Sequence, residues 1–219
     1  MPVQGVVFDL DGVLLDSEQI WDRARRELVQ ETGGRWTDDA STAMLGMSAP
    51  EWSRYVAEAL GVPLSPAEID RDVVRRVIES YRERLPVLPC AREAVERLGA
   101  RWPLGLATSS NREVVDVVLE ALGVADRFVA TVSSEEVGRG KPAPDVYLEA
   151  ARRMGVEPSA AVAIEDSSNG LRSAKAAAMS VIAIPNPHFA PAPDALELAD
   201  IVLANLGELT PTVVENAAR

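Results

Sequence analysis

The chain opens on an uninterrupted apolar run, Gly5-Val6-Val7-Phe8, that enters Asp9 and is broken by Asp11-Gly12. A short run closed by turn residues predicts a buried strand. From Ser17 the period becomes helical: Ile20, Trp21, Ala24 and Leu28 share one face. Ser17 is placed to cap this helix and Gly33-Gly34 to end it. Further helical periods cover about 38–44, 50–60 (Trp52, Val56, Leu60) and 66–84 (Ile69, Val73, Val77, Tyr81). Nothing between 17 and 84 alternates as a strand.

After Leu85-Pro86-Val87-Leu88-Pro89 the pattern changes again. Strands are predicted at 104–108, 128–132, 161–164, 181–184 and 201–203. Helices are predicted at about 91–100, 111–122, 145–154 and 168–178, two of them stopping at Gly123 and Gly155. Strands alternating with helices imply right-handed βαβ units and a parallel sheet. The expected fold is therefore α/β: a core of residues 1–16 and 86–219, split by an all-helical insertion at 17–85.

Composition then narrows the function classes. The chain has 219 residues, 47% apolar and 26% charged, which suits one α/β core carrying an insertion. Lys plus Arg is 22 against 34 for Asp plus Glu, a net charge of −12 that repels nucleic acids and anionic membranes. No apolar run approaches the roughly 18 residues needed to span a bilayer. No signal segment opens the chain, so a cytoplasmic location is expected. The single Cys90 allows no internal disulfide, and with the single His188 it cannot build a zinc site. His188 lies in the Pro-rich stretch 185–193, which reads as a rigid surface loop with no catalytic part. Lysine occurs only at Lys141 and Lys175. Catalysis thus falls to carboxylates, hydroxyls, lysine or arginine.

In a parallel sheet, ligands bind beyond the carboxyl ends of the strands. Asp9-Leu10-Asp11-Gly12 follows the first strand and Thr108-Ser109-Ser110-Asn111 the second. Gly140-Lys141-Pro142 lies downstream of the third, and Glu165-Asp166-Ser167-Ser168 follows the fourth. Carboxylates, a hydroxyl and an ammonium would converge on one rim. Each alone has an ordinary reading as a turn former, helix cap or loop lysine. Together they form a set suited to phosphoryl transfer. Hard oxygen ligands without Cys or His select Mg²⁺. An Asp can attack phosphorus, and a second carboxyl can move the proton of the leaving alcohol and of water. Lysine, a hydroxyl and helix N–H groups can hold the phosphoryl oxygens.

Val6-Val7-Phe8-Asp9-Leu10-Asp11-Gly12-Val13-Leu14-Leu15-Asp16-Ser17 resembles the first motif of the haloacid dehalogenase (HAD) superfamily. Thr108, Lys141 in Gly-Lys-Pro-Ala-Pro-Asp, and Glu165-Asp166 match its second, third and fourth motifs in order. The resemblance covers essentially the whole chain. It implies a Rossmann-like three-layer core with a helical cap inserted after the first motif. It implies Asp9 as nucleophile and Mg²⁺ ligand, and Asp11 as general acid/base with its carbonyl on the metal. Asp166 would be a metal ligand, Glu165 would ligate directly or through water, and Thr108 and Lys141 would hold the phosphate.

The second Asp, Asp11, argues against the dehalogenases proper. A β-phosphoglucomutase-like mutase is the alternative. Its cap His is replaced here by Trp21, and its cap Arg is missing from Gly46-Met47-Ser48-Ala49. The segment 16–24 resembles the first cap helix of sugar phosphatases, including 2-deoxyglucose-6-phosphate and hexitol phosphatases. The expected activity is hydrolysis of a small phosphorylated metabolite, a sugar or polyol phosphate, by a monomer. Gly12, Ser17, Glu18, Trp21, Ser109, Ser110 and Asn111 are the substrate-binding candidates, and Met47 and Ser48 also face consideration as specificity residues. Cys90 stands where relatives usually have Gly. A phosphoacceptor receiver module also combines Asp, Thr/Ser and Lys around Mg²⁺. It is usually near 120 residues, and its acidic pair and phosphorylated Asp lie on different strands.

Overall fold

The first strand, β1 (Gly5–Phe8), is the centre of the molecule and has a strand on each side. A computed structural model describes residues 2–44, 47–186 and 189–218. The predicted surface loop around His188 and the Gly46 end of the cap segment therefore lie partly outside the described residues.

Five more strands follow: β2 (Leu104–Thr108), β3 (Phe128–Ser133), β4 (Ala161–Glu165), β5 (Ser180–Ala183) and β6 (Ile201–Val202). They form one parallel sheet in the order β3-β2-β1-β4-β5-β6. Chain order reverses direction at β1, and such a switch point opens a crevice at the carboxyl ends. Phe8 lies opposite Leu106 on β2 and Ile164 on β4. The next residues along, Asp9 and Glu165, therefore leave the sheet side by side.

Helices cover both faces of the sheet. Among the described residues, four lie between 17 and 85: α1 (Glu18–Glu31), α2 (Ala40–Met44), α3 (Ala49–Glu58) and α4 (Pro66–Glu83). Six lie after it: α5 (Ala91–Gly99), α6 (Arg112–Leu122), α7 (Asp145–Met154), α8 (Ser168–Ala176), α9 (Pro193–Leu196) and α10 (Pro211–Ala217). Val6, Phe8, Leu106 and Ile164 pack on one side with Val95, Leu98, Val115 and Val118 of α5 and α6. Val7, Ala107 and Ala163 pack on the other with Tyr147, Ala150, Leu171 and Ala174 of α7 and α8. Burial on both faces is why these strands read as unbroken apolar runs. The first cluster continues into Trp21, Leu28, Trp52 and Val77, so the four early helices share its apolar contacts.

Among the described residues, 17–85 holds helices and no strand. Its two ends meet in an antiparallel bridge at Leu15 and Val87, with Asp16 N–H donating to the Pro86 carbonyl (2.8 Å) and Leu88 N–H to that of Leu14 (3.0 Å). No helix of the described residues is long and apolar enough to cross a membrane.

Several boundaries follow their local signals. Ser65 and Glu68 form a capping box on α4 with Pro66 in its first turn. Gly123 and Gly155 end α6 and α7 at φ 66° and 69°. Other details differ from the sequence reading. Ser17 precedes α1, yet its hydroxyl caps nothing. It donates to Asp11 instead, because a half-buried carboxylate is a stronger acceptor within reach. The short helices α9 and α10 were not predicted, since four and seven residues are too few to show a period. Thr210, accepting from Val213 N–H at 3.3 Å, and Pro211 start α10.

Cys90 precedes α5 in the left-handed region, at φ 65°. A side chain there costs roughly 1–2 kcal/mol, offset by roughly 0.4–1 kcal/mol because glycine is freer when unfolded. Cys90 is exposed. Cys90→Gly should therefore raise the unfolding free energy by up to about 1.6 kcal/mol in a urea titration. A lowered midpoint would show that contacts of the thiol outweigh the backbone strain.

Candidate active site

The carboxyl ends of β1 and β4 bring Asp9, Glu165 and Asp166 together, all buried. One oxygen from each lies within 4.8 Å of the others. Lys141 reaches between them, its ammonium donating to Asp9 Oδ1 (2.8 Å) and Glu165 Oε1 (2.6 Å). Glu165 has both oxygens engaged. The Tyr147 hydroxyl donates to Oε1 (2.7 Å), and the Asp166 and Ser167 N–H groups donate to Oε2 (3.0 and 3.3 Å). Two glycines make room for this crowding. A Cβ on Gly170 would occupy the space of the Glu165 carboxylate, and one on Gly12 that of Asp166. Gly12 also holds φ +79°, which favours glycine.

Asp11 sits beside this cluster in another kind of environment. The Ser17 hydroxyl donates to Oδ1 and that of Ser110 to Oδ2, each at 2.5 Å. Ser110 is itself fixed, its N–H donating to Thr108 Oγ1 (3.0 Å) and its carbonyl accepting from Ser133 (2.6 Å). Ser109 lies in the same turn with a buried hydroxyl that makes no hydrogen bond.

Burial dominates the electrostatics. It pushes the Asp9 carboxyl up to about 8, with Glu165 and Asp11 adding to the rise and Lys141 opposing it. Asp166 is raised by burial and by Glu165 and Asp9. Burial by itself would lower Lys141, but Asp9 and Glu165 outweigh it and hold the ammonium above its ordinary value. Three buried carboxylates facing one ammonium lack positive charge, and their donors are all oxygens. That set fits a hard divalent cation.

Most of these groups line a cleft between the sheet edge and the early helices. Asp9, Asp11, Thr108, Ser109, Ser110, Lys141 and Asp166 line its floor. Glu18, Trp21 and Met47 line its far wall with three residues that sequence reasoning missed: Arg25, Met44 and Trp52. Asn111 is not brought to the cleft. Its amide spans from α6 to the early helices, donating to both Asp70 oxygens (3.2 Å) and to Glu135 (3.0 Å). Ser48 is likewise occupied, donating to Glu51 in the box that starts α3.

The model of the haloacid dehalogenase-like hydrolases matches residues 3–178, which include every one of these strand-end groups. The chain belongs to the haloacid dehalogenase-like hydrolase family. Among curated relatives of this hydrolase, hexitol phosphatase B of Escherichia coli (strain K12) is 36% identical over 214 residues, 95% of each chain. Fructose-1-phosphate phosphatase of the same organism is 32% identical, covering 81% of this chain and 94% of its own. The crystal structure of β-phosphoglucomutase from Clostridium difficile superposes with a TM-score of 0.85 at 20% identity, over 99% and 97% of the two chains, and so shares the fold. Family and relatives make the chain a phosphoric monoester hydrolase.

The packing of Asp166 on Gly12 gives a sharp test. In Gly12→Ala the new Cβ must displace the Asp166 carboxylate. Misplacement by about 1 Å costs roughly 100-fold in rate. Phosphate release by Gly12→Ala should fall by about that factor, with the far-ultraviolet circular dichroism unchanged. Wild-type rates would mean that Asp166 takes no part.

Proposed function

We propose that this hydrolase cleaves a small sugar or polyol phosphate through a phosphorylated Asp9, with Mg²⁺ as its cation. The observation that carries this reading is the pairing of two unlike carboxyl groups at one strand end. Asp9 is bound to an ammonium, and Asp11 to two hydroxyls. The relatives that act on hexitol phosphates and on fructose 1-phosphate support the substrate class.

Lys141 favours the ionised form of Asp9 against the upward push of burial, a bound cation would add to that effect, and the ammonium offers positive charge to the phosphoryl oxygens. An Asp9 oxygen bonds to phosphorus as the ester oxygen leaves, and Asp11 gives that oxygen its proton. Asp11 then takes a proton from water, the water oxygen bonds to phosphorus, and the bond to Asp9 breaks. Inorganic phosphate and free Asp9 result. The Ser109 hydroxyl, which has no partner of its own among the described residues, and the Thr108 hydroxyl would hold phosphate oxygens. Asp9, Asp166 and the Asp11 carbonyl would hold the cation, which supplies charge neutralisation to the reacting phosphoryl group. Glu165, with both oxygens engaged, orients Lys141. Residues 17–85 serve as a cap whose inner wall meets the alcohol half of the substrate. The net charge of −12 and the lone Cys suit a cytoplasmic enzyme acting on small metabolites.

Phosphate release should be screened over sugar and polyol phosphates. Activity should vanish with EDTA and return with Mg²⁺, and Asp9→Asn should reduce it to background while keeping the fold. Residual Mg²⁺-dependent turnover in that variant would overturn the assignment of Asp9. The mutase alternative makes a separate prediction. With β-glucose 1-phosphate and a bisphosphate primer, free phosphate should form faster than the 6-phosphate; the reverse order would favour the mutase.

A further inference from the structure

Arg25 is an unusual residue to find in the wall of this cleft. It is 7% exposed, it lines the cleft, and its Nε is buried with no hydrogen-bond partner. Buried guanidinium groups are ordinarily paired, because the desolvation cost is otherwise unrecovered. Here the guanidinium carbon lies over two indole rings, 5.3 Å from the centroid of Trp21 and 4.9 Å from that of Trp52. Those rings meet edge to face at 6.2 Å. The π faces fix the orientation of the guanidinium without using its N–H groups.

Glu18, Trp21 and Arg25 are spaced three and four apart on α1, so they form one stripe along the helix. All three line the cleft, with Trp52 beside them. The stripe runs from an acceptor through an aromatic face to a donor. Glu18 and Arg25 make no ion pair with each other within 4.0 Å among the described residues, so both keep polar capacity for a ligand. We infer that this stripe reads the hydroxyls of a neutral polyhydroxylated tail, with Arg25 donating, Glu18 accepting and the indoles packing on the carbon chain. The inference rests on the phosphatase reading above and names the part of the substrate that the catalytic floor leaves unread.

Charge decides between a neutral and an anionic tail. Glu18, Asp22 and Asp11 all act electrostatically on Arg25. A second phosphate or carboxylate placed at Arg25 would also face those carboxylates. Hydroxyls gain the guanidinium's donors without that repulsion.

The test uses Arg25→Met, Arg25→Lys and Glu18→Gln, with folding checked by thermal melting. Kinetics are compared on sorbitol 6-phosphate, on p-nitrophenyl phosphate, whose tail has no hydroxyl, and on fructose 1,6-bisphosphate, whose tail is anionic. Arg25→Met should raise KM for the polyol phosphate by about tenfold or more, with a smaller change in kcat. The ratio of kcat/KM for the polyol phosphate to that for p-nitrophenyl phosphate should fall by a similar factor. Glu18→Gln should lower the same ratio in a variant that leaves the guanidinium in place.

Equal losses on both esters would overturn the inference in favour of a purely structural arginine. A wild-type preference for the bisphosphate, abolished in Arg25→Met, would overturn it in favour of an anion site. Calorimetric binding of sorbitol 6-phosphate to Asp9→Asn, with and without Arg25→Met, makes the result independent of turnover. If the wild type releases no phosphate, the phosphatase reading fails. If binding is unaffected by Arg25→Met, the stripe fails.

Discussion

Three buried carboxylates crowded around one ammonium that pairs with two of them is the constraint on which this sheet edge is built. Like charges in a poorly solvated place repel strongly, and an unpaired buried carboxylate is costly. Parallel pairing of β1 with β4 nevertheless sets Asp9 and Glu165 side by side. The surroundings answer this crowding with donors. Lys141 bridges the two carboxylates, Tyr147 takes a further position on Glu165, and the N–H groups of the turn into α8 take its other oxygen. Gly12 and Gly170 supply the space these side chains fill. In the proposed reading, the deficit of positive charge that remains equips this edge for a cation and a phosphate. It also explains how a chain of net charge −12 can receive an anion: the charge that matters is local.

The catalytic floor was legible in the sequence for a topological reason. Strands of a parallel sheet end at one edge, so Asp9, Thr108 and Glu165 converge from distant segments, and Lys141 joins them on the loop between β3 and α7. Strand and helix identity also followed from short-range periods. Facing direction did not. Arg25 follows Trp21 by one helical turn and sits beside the apolar positions Ala24, Leu28 and Val29, where an arginine reads as the helix edge turning to solvent. Only the packing of α1 and α3 around the cleft gives it a role. Asn111 shows the converse. It follows the Thr108–Ser110 turn in sequence, yet its amide is taken by Asp70 and Glu135. Sequence adjacency to a site fixes the backbone's path but not where a side chain finds its partners.

Ser17 shows how a local rule yields to a stronger demand. It stands where a helix cap is expected, and its hydroxyl is instead drawn to Asp11. Ser17 lies at the entrance to the early helices and Ser110 beyond β2, so elements on two sides of the cleft clamp one carboxyl group. The register of the early helices against the sheet is thus tied to the orientation of Asp11.

The different partners of Asp9 and Asp11 match what the proposed reaction asks of each. A lysine ammonium only donates, so it favours a carboxyl group that stays ionised; Asp9 must keep an oxygen free of protons to attack phosphorus. A serine hydroxyl both donates and accepts, and turns to suit. Asp11 can gain a proton and still keep both partners, because one hydroxyl rotates from donor to acceptor. A cation in that place would resist the protonation that the acid step requires. Two carboxyl groups two residues apart are thereby given opposite tasks by their neighbours alone, and the neighbours come from four separate segments of the chain: Ser17, Ser110, Lys141 and Glu165.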